Sequence, residues 1–388
     1  MADAGKYIEK NYGKEYVGAG GVASSTTINS YGTEYVNGGT DYHAVINEKG
    51  NQSVTDGGRA VSTTINAGGK QTISGGTASN TTINSGVQTL MPDGLASSTQ
   101  ISAGGTQAIW GGGTAKDTII STSGYEVIER STGLADGTNI SGNTAQQTIR
   151  TGGTGINTTV ADGGTQVAYS GGWTSGTTVN SGGIQFAGSG GNMSNTTVNS
   201  GGTQGLAGGN AINNTINAGG TQSVAAGHAD ENIINGGVQN IEKGALATSN
   251  TVNDGGVQNI KDGASATDNT INSGGIQNIS GGGLALNNTV NNGGRQNVSS
   301  GGQAINNIVN SGGIQSVEGG GVAKNNSVGS GGTQLIASGG TGINNFISAG
   351  GVQNITSGGI TTSDTLTDGA KETVASGGKA EGTNVGTG

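Results

Sequence analysis

Gly274-Gly275-Ile276-Gln277-Asn278-Ile279-Ser280-Gly281-Gly282-Gly283-Leu284-Ala285-Leu286-Asn287-Asn288-Thr289-Val290-Asn291-Asn292 is one unit of a repeat. A glycine pair leads into a Gln-x-Ile step. A second glycine turn follows, then a small residue, and a short Asn-Thr-Val run closes the unit. Gly293-Gly294 starts the next one. The glutamine anchors the count. It is followed from Glu15 through Glu34, Gln52, Gln71, Gln88, Gln107, Glu126, Gln147, Gln166, Gln185, Gln204, Gln222 and Gln239, and on through Gln258, Gln277, Gln296, Gln315, Gln334 and Gln353 to Glu372. Most intervals are 19 residues, the exceptions are 17, 18 or 21, and every step after Gln239 is 19. A sustained period near 20 is the signature of stacked coils.

Within a unit, two short strands follow from a period of two. Gln277 and Ile279 share one face and Asn278 the other; Asn288 and Val290 share a face, with Thr289 opposite. A third side begins near the small residue, as at Ala23, Ala60, Ala78, Ala247, Ala266 and Ala285. Strands this short cannot stand alone, but stacked in parallel each pairs with the coils above and below. Helices are not expected, because no window carries an apolar stripe at 3.6 spacing, and glycine and β-branched residues oppose one. The pattern predicts an all-β fold: a parallel β-helix (β-solenoid), three-sided, of about 20 coils, with a rod length on the order of 95 Å at ~4.8 Å per coil. Glycine at the corners supplies positive φ.

By length alone, 388 residues would be split into two or three domains. The repeat overrides that division, since a solenoid grows in one dimension. Residues 1–21 are expected to form an atypical N-terminal start or capping coil, where Tyr7, Tyr12 and Tyr16 crowd ahead of Tyr31, Tyr35 and Tyr42. Residues 22–388 form the solenoid, with no linker; the irregular intervals are read as altered corners.

Glycine supplies 83 residues and proline one, so glycine lacks the proline partner and the period of three that collagen needs. Only 30% of residues are hydrophobic, yet they recur at fixed phase, which disorder would not require. A net charge of −9, with 15 Lys and Arg forming no block, argues against a nucleic-acid partner. No apolar run is long enough to span a bilayer, and the Met-Ala-Asp-Ala start lacks the basic-then-apolar order of a signal peptide.

Chemistry-bearing clusters are sparse. His43 and His228 lie many coils apart, and no cysteine completes a zinc set. Asp254, Asp262 and Asp268 form the nearest acidic group, which corner and solvation roles explain. No catalytic, cofactor or metal site is therefore expected. A polysaccharide-active β-helix enzyme is a remote alternative, because such chemistry needs paired acids on neighbouring coils.

The surface is more informative. Beside the inward aliphatic stands a threonine column: Thr27, Thr64, Thr82, Thr159, Thr178, Thr197, Thr251, Thr270, Thr289 and Thr365, interrupted by Ile119, Ile233, Ile308 and Phe346. Strand propensity explains it. Ice binding would want flat Thr-x-Thr runs, whereas these read Thr-Thr-aliphatic. A second outward column follows the anchor: Asn240, Asn259, Asn278 and Asn297, and earlier Val127, Val167 and Phe186. Exposed apolar residues there are candidates for an interface. Trp110, Arg150 and Tyr169 share one repeat phase, with Glu129 between them and Trp173 near the end of the run; they are the candidate adhesive surface.

The units Gly75-Gly76-Thr77-Ala78-Ser79-Asn80-Thr81-Thr82-Ile83-Asn84-Ser85-Gly86 and Ser181-Gly182-Gly183-Ile184-Gln185 resemble the repeats of self-associating autotransporter adhesins, the diffuse-adherence adhesin family and its glycosylated relatives in Gram-negative bacteria. The resemblance covers most of residues 13–388. It implies a right-handed parallel β-helix, a secreted passenger exported to the cell surface through a carboxyl-terminal translocator that is absent from this chain, adherence to host cells, autoaggregation and biofilm formation. It also implies O-linked heptose on repeat Ser and Thr, added by a cytoplasmic heptosyltransferase before export. The matching acceptors here are Thr27, Thr64, Thr82, Thr178, Thr197, Thr270 and Thr289. Self-association between rods is the first partner reading; a host glycan- or protein-binding adhesin without self-contact is the alternative.

Overall fold

The structure is a computed structural model that describes residues 7–8, 13–130 and 132–386. It is an all-β parallel solenoid of about 20 coils at about 19-residue spacing. The chain divides into two units, Met1–Thr196 and Thr197–Gly388.

The quoted repeat lies in the second unit. Its three strands are Ile276–Ile279, Leu284–Leu286 and Thr289–Val290. Each pairs in parallel with its counterpart one coil away: Gln258 with Gln277, Ala266 with Ala285, and Ile271 with Val290. The register equals the repeat, so like residues stack on like. Gln277, Ile279, Ala285, Asn288 and Val290 are all buried, while Asn278 and Thr289 alternate outward. This is the facing that period-two alternation predicts.

Two amide ladders run through the interior of this unit, and they point in opposite directions. Gln277 Nε2 donates to Gln258 Oε1 at 2.7 Å, and Gln296 Nε2 donates to Gln277 Oε1 at 2.6 Å. Each glutamine thus gives its proton to the lower-numbered coil. In the asparagine ladder the backbone N–H of Asn288 donates to Asn307 Oδ1 in the higher-numbered coil, at 2.6 Å. The Asn288 amide also donates to Ala266 O at 3.1 Å. Polar side chains inside a narrow core are tolerated because each finds a partner.

Corners are set by two devices. Gly274 has φ of +72°, the left-handed region. At Gly275 the limit is space, because a Cβ there would collide with the Val252 carbonyl of the coil below. A further corner lies between the second and third strands. Asn287 turns it with φ of +55°, and Ser249, Asp268, Asn306, Asn325 and Asn344 do the same in their coils. Short polar residues adopt this conformation at least cost after glycine. The glycine pattern did not announce that corner.

The short intervals at Gln204, Gln222 and Gln239 are altered corners, as the sequence predicts. Thr203–Ile212 and Thr221–Asp230 run as ten-residue strands through what is elsewhere a glycine turn, with register shifts at Leu206/Ala207 and Ala207/Gly209.

The first unit follows the same plan with threonine in place of the inner asparagine. Thr81, Thr99, Thr118, Thr138, Thr158 and Thr177 are buried at that phase. Two apolar columns line its core. One joins Val36, Val54, Ile73, Leu90, Ile109 and Ile128 to the alanines; the other stacks Ile46, Ile65, Ile83, Ile101, Ile120 and Ile140. The 21-residue step at Glu126 carries one extra residue ahead of Ala135 and one after Ile140; Arg130, Thr132, Gly142 and Thr144 all have positive φ.

The expected atypical start at residues 1–21 falls partly outside the described residues, Tyr12 included. Within it, Lys14–Val17 already pairs with Thr33–Val36 in repeat register, and Tyr16 stacks on Tyr35 at 5.0 Å between ring centroids.

Candidate functional site

Alternation along the third strand turns every second residue out. Thr27, Thr64, Thr82 and Thr178 in the first unit, and Thr197, Thr270 and Thr289 in the second, all stand half-buried on that outer face. Thr64 and Thr82 are register neighbours, as are Thr270 and Thr289. Ile119, Ile233, Ile308 and Phe346 are exposed in the same column.

The outward asparagines of the second unit form ladders of their own. Asn259 donates to Asn240, Asn278 to Asn259 and Asn297 to Asn278, each at 2.9 Å. A neighbouring ladder links Asn253, Asn272, Asn291 and Asn310, also at 2.9 Å. A primary amide carries two N–H donors and a carbonyl with two lone pairs. Stacking uses one donor and one lone pair per residue and leaves a second set facing outward. The result is a column of uncharged amides that offers donors and acceptors at coil spacing, flanked by the Glu242–Lys261 ion pair and by Arg295.

The first unit holds the aromatic and arginine group. The outward column Ala108, Val127, Thr148, Val167 and Phe186 is in register through successive coils. Trp110, Glu129, Arg150 and Tyr169 stand two residues further on, as their shared phase predicts. Their contacts fall into two sets, one around Trp110 and one around Tyr169. The Arg130 guanidinium lies over the Trp110 ring at 4.4 Å, and that of Arg150 lies 6.0 Å from the Tyr169 centroid. Tyr169 meets Phe186 edge-on at 6.3 Å. The tyrosine ring also covers the backbone of Gly188, where any Cβ would overlap it.

The expectation that Val167 is an exposed apolar residue is therefore corrected. It is only 4% exposed, and Ala108 and Thr148 are likewise buried beneath this outer layer. Trp173 is separate, on the strand Trp173–Ser175, and 41% exposed. Arg130 escaped sequence reading because it stands one residue past the shared phase. Its φ of +64° at the turn places it there.

The interior carries unexpected acids. Glu34 stands at an anchor position and Asp41 at an alanine position, and both are fully buried. Gln52 Nε2 donates to Glu34 Oε2 at 2.7 Å and to Asp41 Oδ2 at 2.8 Å. Burial raises both carboxyls above the usual range; the Asp41 charge adds to this at Glu34, and Glu15 pushes both the same way. Glu126 is the buried acid of its coil, and burial pushes it up to about 7 against hydrogen bonds from Gln147 and Thr138. An acid at a glutamine phase, or at an alanine phase as with Asp41, is the signal that could have found them.

Among the described residues, no group of three or more His, Cys, Asp or Glu stands where a metal ion could be held. His228 lines an open groove with Ile212, Asp230, Glu231 and Leu246. No described helix is long and apolar enough to cross a membrane.

No family model matches the chain, and no curated protein matches it. Among solved structures it is similar to the crystal structure of a TibC-catalyzed hyper-glycosylated TibA55-350 fragment, at 27% identity over 97% of each chain with a TM-score of 0.27. The periplasmic alginate epimerase AlgG is similar at 13% identity over 92% of this chain and 76% of its own, with a TM-score of 0.16. The Dettilon tailspike protein (gp208) is similar at 11% identity over 90% of this chain and 62% of its own, with a TM-score of 0.17.

Proposed function

We propose that this chain is the passenger of a bacterial cell-surface adhesin, acting in adherence, autoaggregation and biofilm formation, with outward repeat threonines as acceptors for O-linked heptose. The observation that carries the reading is the coil-by-coil repetition of one hydrogen-bonding amide column, seen in the Asn240, Asn259, Asn278 and Asn297 ladder. A single amide contact with a partner is weak. Repeated at fixed spacing on a stiff stack, such contacts gain effective concentration and add up to avidity. The repeat phases shared with autotransporter adhesins support the same function, and imply delivery through a translocator. On this reading the chain's partners are other copies of itself, the host-cell surface and a cytoplasmic heptosyltransferase, and Thr27, Thr64, Thr82, Thr178, Thr197, Thr270 and Thr289 are the acceptor positions.

Aggregation of cells displaying the chain tests the reading. Clumping that purified chain reduces by competition is expected; dispersed cells together with monomeric protein at high concentration would overturn self-association. Intact mass after co-expression with a heptosyltransferase tests the acceptors, since heptose adds a fixed increment per site.

One observation favours contact with a host glycan or protein instead. The Trp110, Arg130, Arg150 and Tyr169 layer, with exposed Trp173, departs from the repeat surface. Loss of host-cell binding on Trp173→Ala, with clumping unchanged, would separate this reading from self-association.

A further inference from the structure

Glu126 interrupts a run of glutamines in the first unit's ladder. Within that run the rule is uniform: Gln71 donates to Gln52, Gln88 to Gln71 and Gln107 to Gln88, at 2.6–2.7 Å from Nε2 to Oε1. Above Gln107 the register partner is Glu126. The rung above obeys the rule, with Gln147 Nε2 donating to Glu126 Oε2 at 2.6 Å, and Thr138 adding a bond to the same oxygen at 3.2 Å. The rung below cannot obey it while Glu126 is ionised. A carboxylate has no proton to give, and Gln107 offers its Oε1, an acceptor that takes the Thr118 hydroxyl at 3.1 Å and keeps a second lone pair. Glu126 Oε1 is buried and has no hydrogen-bond partner.

The surroundings favour a neutral group. Glu126 lies among Gln107, Gln147, Thr118, Thr138, Ala115 and Ala135, all uncharged and buried. The titratable residues on the packed strands, Lys116, Tyr125, Glu129 and Asp136, alternate to the outer side, and Asp117, Arg130 and Arg150 lie at the corners and in the outer layer. No cation is placed to compensate a carboxylate, so ionisation would leave an uncompensated charge in the core.

We propose that Glu126 stands in the ladder as the neutral acid, its Oε1–H donating to Gln107 Oε1, so that a single proton splices the coils of Gln107 and Gln147 and its loss to solvent opens the rung. The chain would then carry a built-in acid-strengthened joint within the first unit. The sign follows from where the proton is held. The folded carboxyl, with its pKa at about 7, keeps its proton where the unfolded one at 4.5 loses it. Stabilisation is full below the unfolded value and lost as pH rises through the folded one.

The test uses the full chain and its Glu126→Gln variant, which supplies a permanent donor. Backbone hydrogen exchange of the strands Thr106–Trp110, Tyr125–Glu129 and Gln146–Ile149 is compared between the two proteins at each pH from 4 to 8, so that intrinsic rates cancel. The expected result is equal protection at the acid end and a wild-type deficit that grows to as much as roughly 300-fold at the neutral end. The strands Lys70–Ser74 and Val87–Leu90 should not respond. Difference infrared spectra supply an independent readout: the wild-type-minus-Glu126→Gln spectrum should carry a protonated-carboxyl band to near neutrality, the Glu34 and Asp41 signals being common to both proteins and cancelling. A wild-type-to-variant ratio that stays constant across the pH range, or a wild-type-minus-variant spectrum without that band at mildly acid pH, overturns the proposal.

Discussion

Gln277 Nε2 and Gln258 Oε1 lie 2.7 Å apart across one full turn of the chain, both in the sealed interior. Gln277→Ala would orphan Gln258 Oε1 below and the Gln296 amide above, as well as leaving a cavity. Each orphaned buried group costs about 1–3 kcal/mol. Hydrogen exchange should show the loss concentrated in the coils on either side, because stability in a solenoid is a nearest-neighbour property.

Glycine at the two positions of one corner answers to different constraints, and substitution should separate them. Gly275→Ala places a methyl group against the Val252 carbonyl, a backbone atom that cannot step aside. Gly274→Asn keeps a residue tolerant of positive φ, and its Cβ meets the Asp254 carboxylate, a side-chain end that can turn away. Thermal unfolding should show a loss of about 1–3 kcal/mol or more for Gly275→Ala and a smaller loss for Gly274→Asn.

The Glu34–Asp41 pair predicts a pH dependence at the low-numbered end of the first unit. Both carboxyls are raised, chiefly by burial, and Gln52 bridges them. Groups raised in the folded state stabilise fully below their unfolded pKa values, here 4.5 and 3.8, and that contribution falls away as pH rises through the folded ones. Amide protection in the strands Thr33–Asn37 and Asn51–Thr55 should therefore decline from acid to alkaline pH. Glu34→Gln should flatten the decline. A wild-type profile with no slope would contradict the assignment.

The outer aromatic layer makes an optical prediction. Arg130→Ala removes the guanidinium that lies over Trp110 and exposes the ring. In a Trp173→Phe background, leaving one tryptophan, the emission should shift to longer wavelength and become more accessible to a neutral quencher. The stability change should be small, about 0.5–1 kcal/mol, as for an exposed cation–π pair.

Much of the coil was legible because a solenoid writes its cross-section into its period. The inward pairing of Gln277 with Ile279 and of Asn288 with Val290 needed only alternation. Asn287 and its equivalents were not legible as a corner, since a left-handed φ at Asn, Asp or Ser leaves no mark in the hydrophobic pattern. The surface was read less well. Phase places Trp110, Arg150 and Tyr169 in one column, yet it could not show that Arg130 would turn back over the tryptophan or that Val167 would be covered. Those outcomes depend on side-chain rotamers and on one turn residue, neither of which a periodicity encodes.

The opposed directions of the two interior ladders in the second unit give each coil a keyed face, like a plug with two unlike pins. Toward the higher-numbered side, the coil of Gln277 presents a waiting acceptor, Gln277 Oε1, and a waiting donor, the N–H of Asn288. The next coil fits only if it brings an amide proton to the first and a side-chain oxygen to the second. A segment arriving reversed, or slipped by one residue, offers an aliphatic group or a like pole at one pin. The hydrogen bonds thus do more than satisfy buried atoms: they let each finished turn inspect its successor, and a monotonous sequence rich in near-identical repeats is protected from stacking reversed or out of register.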